Sequence, residues 1–197
     1  MQDQWYGDKR DLVKWGVLVE LARRHRLKHI LQVPYKQNQD WSDLDIDGES
    51  VKLPQTVVEH FRDPTSASKI SCSARIEVFP KLFDDRSDYH RELLRRIHSR
   101  TDRPGIVFLD PDTGLQPPGG RATKKHVLTS EIAEIWGALN SGDLLVLYQH
   151  ANRSGTWIKE KKRQFEKGLH PRKGTAKIAH GPEIASDVAF FFLEKGE

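Results

Sequence analysis

The sequence predicts a doubly wound, mostly parallel α/β sheet with helices on both faces and a C-terminal antiparallel hairpin. Three observations carry that expectation. Ile106–Leu109 and Leu144–Leu147 are short, unbroken apolar runs, as suits strands covered on both faces. Stretches at helical period separate the strand-like runs, and such alternation marks βαβ units. The chain then closes on two strand-like stretches around Gly181-Pro182.

Composition bounds the rest. The 197 residues, 30% charged and 37% apolar, suit one domain, 1–197, with a substantial core. A single cysteine, Cys72, excludes an intramolecular disulfide and fits a reducing, cytoplasmic setting. No apolar stretch approaches the length that spans a bilayer, and no secretory signal opens the chain, so no membrane role is expected. The net charge of +4 is unevenly placed: residues 153–177 hold nine basic side chains against Glu160 and Glu166, a local +7. Such a segment suits a polyanion, RNA or DNA, or else forms a solvated helix face.

The elements follow in order. A helix starts near Asp8, its N-cap, with Leu12, Trp15, Val19 and Ala22 as the apolar stripe. Asp11 and Lys14 share its polar face as a surface ion pair, or else project with Asp8 into a central crevice. His29–Pro34 is the first strand. The loop after it has no glycine before Gly48, so a dinucleotide-binding fingerprint is not present. The acidic stretch Asp40–Glu49 reads as a solvated loop, and Pro54–Phe61 as a short helix with Pro54 at its first position. Arg75–Pro80 is a strand, and a helix from Ser87 or Asp88 buries Tyr89, Leu93 and Ile97.

Gly105–Gly114 is the organising stretch. After the strand Ile106–Leu109, Asp110-Pro111-Asp112-Thr113-Gly114 makes a turn that places two carboxylates at a strand's carboxyl end. Open α/β sheets put their ligand crevices there, although the same residues are also good turn chemistry. Leu115–Lys125 reads as a flap beside them. A helix capped by Thr129 or Ser130 carries Ile132, Ile135, Trp136 and Leu139. Leu144–Leu147 then delivers Tyr148, His150 and Arg153 to the same edge, since parallel neighbours joined by a helical crossover share it. A basic helix buries Trp157, Ile158, Phe165 and Leu169.

With its terminal hairpin and its Asp110-Pro111 at a strand end, the chain resembles the class I S-adenosylmethionine-dependent methyltransferases, a Rossmann-like methyltransferase fold. Gly7-Asp8-Lys9-Arg10-Asp11-Leu12-Val13-Lys14 looks like the opening helix of the large-subunit ribosomal RNA adenine-N6 methyltransferases. Gly-Asp near the start, Asp-Pro-Asp-Thr-Gly and Tyr-Gln-His are similar to an uncharacterised bacterial family. The methionine-cofactor glycine loop is absent after Val33, and Asp112-Thr113 stands where base-amino methyltransferases place Pro and an aromatic.

The resemblance implies S-adenosylmethionine as cofactor and action on nucleic acid. Asp110 would accept from a substrate amino group, Tyr148 would stack on a base or the cofactor, and the 153–177 segment would hold phosphates. A metal-dependent nuclease or phosphoryl hydrolase is the alternative. There Asp110 and Asp112 hold magnesium or manganese, with Asp8 or Asp11 as a third ligand. His150 is then the general base, and Arg153 or Lys14 neutralises phosphate charge. A non-catalytic module binding nucleic acid or protein is the third reading.

Overall fold

The computed structural model describes residues 9–37, 43–46, 49–52, 70, 72–169 and 175–196. Asp8 and the Pro54–Phe61 helix expected from the sequence lie outside them. Within them run α1 (Lys9–Arg24), β1 (His29–Val33), β2 (Asp43–Ile46), β3 (Glu49–Lys52), β4 (Arg75–Val78) and α2 (Arg86–His98). Then follow β5 (Ile106–Leu109), β6 (Gly114–Leu115), β7 (His126–Val127), α3 (Thr129–Ala138), β8 (Leu144–His150), α4 (Trp157–Leu169), β9 (Lys177–Gly181) and β10 (Ala185–Glu194).

The main sheet has the order β4-β1-β5-β8-β10-β9. The first four strands are parallel, and β10 runs antiparallel between β8 and β9. The doubly wound expectation and its closing hairpin therefore hold. Alternate side chains of each strand serve opposite faces. Leu31, Val107, Leu109, Leu145, Leu147 and Phe191 meet α2, α3 and α4 through Leu93, Ile97, Ile132, Ile135 and Phe165. On the other face Ile30, Ile106, Phe108, Val146 and Phe190 meet α1 through Val13, Trp15, Leu18 and Leu21.

Three local expectations differ. The α1 stripe is turned: Leu12 is 65% exposed, while Asp11, Val13, Lys14, Trp15 and Leu18 are buried. The pair Asp11–Lys14 is therefore interior, not a surface ion pair, because its charges satisfy one another and a third group in the sheet. Part of the acidic stretch pairs as the β2–β3 hairpin, with Asp43 opposite Lys52, instead of staying a loop. Finally, α3 starts at Thr129 without a hydroxyl cap; the Glu131 carboxylate accepts from Leu128 N at 2.8 Å.

Candidate functional site

Register brings the expected residues to one edge. Leu109 is paired with Leu147, so Asp110 and Tyr148 leave β5 and β8 at the same level on the face covered by α1. Gln32, one place before the end of β1, also faces that side. Its Nε2 donates to Asp110 Oδ2 at 2.8 Å. Lys14 Nζ lies 3.0 Å from the same oxygen and 2.7 Å from Asp11 Oδ1. All four side chains are buried. Burial opposes the Lys14 charge, but Asp110 and Asp11 outweigh it and hold the ammonium above its ordinary pKa.

Tyr148 is buried as well. Its ring stands edge-on to Phe190 at 5.7 Å between centroids, and Lys14 Nζ sits 5.6 Å from its centre. The stacking role expected for Tyr148 has no exposed ring face to use. Lys14 likewise faces two carboxylates inside the protein and not a phosphate outside it.

His150 follows Tyr148 on the same sheet edge, half-buried, with Nε2 3.3 Å from Asp187 Oδ2. Arg10 grips the same Asp187 oxygen through Nε and Nη2 at 2.9 and 2.6 Å. That guanidinium is the main reason the Asp187 carboxyl sits below its usual pKa. Asp110 and His150 thus share one sheet edge, although their direct partners differ. Arg153 follows, exposed.

Asp112 belongs to the other side of the turn, where it acts electrostatically on His126. His126 is pushed below its ordinary value by burial first, and then by Lys161, Arg86 and Lys125. Gln149, which the sequence reading passed over, fixes that turn. Its Oε1 accepts from Leu115 N at 2.8 Å and its Nε2 donates to Thr113 O at 2.8 Å. Gly114 takes φ +101°, and a β-carbon there would overlap the Gln149 amide. Gln32, Gln149, Asp187 and Arg10 are the site residues that sequence reasoning missed. The visible signal for the two glutamines is a polar residue inside an otherwise apolar strand.

Among the described residues no three metal-ligating side chains come together, and the Asp110 carboxylate is already shared by Lys14 and Gln32. The metal-dependent alternative is not favoured. For a methyl donor, the carboxyl end of β1 is the place that matters. There Tyr35 adopts φ +48° where a glycine would be expected. Its ring, 1% exposed, packs on Phe83 and Tyr89 at centroid distances of 5.2 and 5.3 Å. The Tyr35 ring thus fills the core at the end of β1, where no glycine frees the backbone for close approach to a donor.

The fold is a Rossmann-like, doubly wound α/β sheet. No family model and no curated protein matches the chain. Among solved structures it is similar to a DUF574 family protein from Streptomyces avermitilis, at 10% identity and TM-score 0.46 over 95% of this chain and 82% of that one. It is also similar to human methyltransferase-like protein 13 in complex with SAH, at 18% identity and TM-score 0.38 over 94% and 81%. None of the described helices is long and apolar enough to cross a membrane.

Proposed function

We propose that this methyltransferase-like protein binds nucleic acid, with α4 as its phosphate-contacting element. The observation that carries the reading is a row of exposed cations, Lys159, Arg163 and Lys167, at i, i+4 and i+8. Successive members rise by about 6 Å along the helix. The helix's two carboxylates are outnumbered by its five basic side chains. Glu160 accepts from Ser154 Oγ at 2.9 Å, and Glu166 accepts from Lys162 Nζ at 2.5 Å and from Ala176 N at 3.0 Å. Arg153, also exposed, lies six residues before Lys159 in the chain.

The test is the salt dependence of binding to labelled nucleic acid. Neutralising several phosphates releases counterions, so affinity must fall steeply as salt rises. The variant Lys159→Glu/Arg163→Glu/Lys167→Glu should lose at least ~10-fold in affinity at low salt. A flat salt response would remove nucleic acid as the partner.

A second reading, methyl transfer from S-adenosylmethionine to a nucleic-acid amino group, is favoured by Asp110-Pro111 at the carboxyl end of β5. The Tyr35 cluster weighs against it. Titrating S-adenosylmethionine into the protein by calorimetry separates the two readings. Saturable heat supports transfer, and its absence leaves binding alone.

A further inference from the structure

Resting on that reading, we infer that the ligand is a nucleic-acid duplex, held through its phosphates on a surface built jointly by α4 and the loop 116–125. The loop carries Arg121, Lys124 and Lys125, all exposed. None of them pairs with a carboxylate among the described residues.

The loop is not a loose appendage. Its stem is fastened to α4, where buried Lys161 donates from Nζ to Leu115 O at 2.8 Å and Gln164 donates from Nε2 to Gln116 O at 2.6 Å. Its returning limb is tied back by Thr113 N, which donates to Lys125 O at 3.1 Å. Across the sheet edge, Arg86 Nη2 donates to Thr123 O at 2.7 Å and Gln37 Nε2 donates to Lys124 O at 3.2 Å. The stem of the loop is therefore fixed against the flank of α4 that bears Gln164, and its cations are carried on the limb held by Thr113, Arg86 and Gln37. The two sets of cations thus stand on elements fastened to one another.

The form of ligand follows from what this surface lacks. Proteins that hold single strands stack the bases on exposed aromatic rings. Among the described residues the exposed large apolar side chains are Leu12, Leu82, Ile178 and Ile184, and none is aromatic. Of the rings on α4, Trp157 is partly buried against the core and Phe165 fully buried in it. A surface of charge without rings suits a partner that hides its base faces and shows dense phosphate. A duplex does so, with one charge per ~1.7 Å of axis.

Fluorescence anisotropy with a short labelled duplex, DNA and RNA in separate arms, and with its single strands, over a series of salt concentrations, tests the inference. Three proteins are compared: wild type, Lys159→Glu/Arg163→Glu/Lys167→Glu, and Arg121→Glu/Lys124→Glu/Lys125→Glu. Circular dichroism checks that both variants are folded. The duplex should bind at least ~10-fold more tightly than the strands, and each variant should flatten the slope of log affinity against log salt by about 3. A loop variant with the wild-type slope, beside a weakened α4 variant, overturns the joint surface and leaves the α4 reading standing. Equal or tighter binding of single strands overturns the duplex. No binding of any nucleic acid overturns the α4 reading itself.

Discussion

Lys14 Nζ lies 3.0 Å from Asp110 Oδ2, and this one contact ties helix α1 to the end of the organising strand β5. With Asp11 it forms a buried triad of two carboxylates and one ammonium. Removing the ammonium alone leaves like charges facing each other out of water. Lys14→Ala is expected to cost about 3–5 kcal/mol in urea denaturation. Lys14→Met combined with Asp110→Asn and Asp11→Asn should recover much of that loss, because the orphaned charges go with it. Equal stability of wild type and Lys14→Ala would show that the triad holds nothing together.

The same ammonium sets an alkaline limit. Its pKa in the folded protein stands above the ordinary lysine value of 10.5. A raised pKa means its contribution is complete below that ordinary value and disappears as pH climbs through the folded one. Wild type should therefore lose melting temperature above about pH 10.5 more steeply than Lys14→Met. Parallel curves would contradict the assignment.

His29 works in the opposite direction at the amino edge of the sheet. Burial, stronger than the pull of Glu77 3.1 Å away, lowers its pKa below 6.5. The neutral ring is the folded form, so its contribution is complete above 6.5 and is lost as pH falls below that value. Between about pH 7 and pH 5, wild type should lose more stability than His29→Gln. Thermal melts across that range check it.

The turn after Asp110 depends on one glycine. Gly114→Ala combines a left-handed backbone, which costs about 1–2 kcal/mol for a residue with a side chain, with displacement of the Gln149 amide. Gln149→Ala alone should cost about 1–3 kcal/mol by stranding Leu115 N and Thr113 O. The double variant should lose less than the two single losses together, since both act on the same clamp. Faster proteolysis of the loop 116–125 in either single variant is the local readout.

How much of this was legible in the sequence follows from the physics of each signal. The strands β5 and β8 and the closing hairpin were readable because burial on both faces demands continuous apolar runs. The shared edge of Asp110 and His150 followed from parallel pairing. The phase of α1 was not readable, because an apolar stripe alone does not reveal a buried face that carries charges. Its buried face includes Asp11 and Lys14, polar groups that become tolerable inside only through Asp110, nearly a hundred residues away in the chain. Asp187 was hidden for a similar reason. It reaches His150 because Val188 pairs with His150 across the sheet, and no local pattern encodes that register. At Tyr35 the sequence shows that a glycine is missing, but not that the ring there turns into the core, which takes a left-handed backbone at that residue.

The place of β10 has a consequence for how the chain assembles. It sits between β8 and β9 although it is made after both. During synthesis, β8 leaves the ribosome with one long edge bare, and β9 has nothing to pair with until residues 185–194 emerge. Phe190 and Phe191, which plug opposite faces of the sheet, arrive in that same late segment. The nascent protein therefore passes through a stage with an open, apolar strand edge, the condition in which chains seek one another or a chaperone.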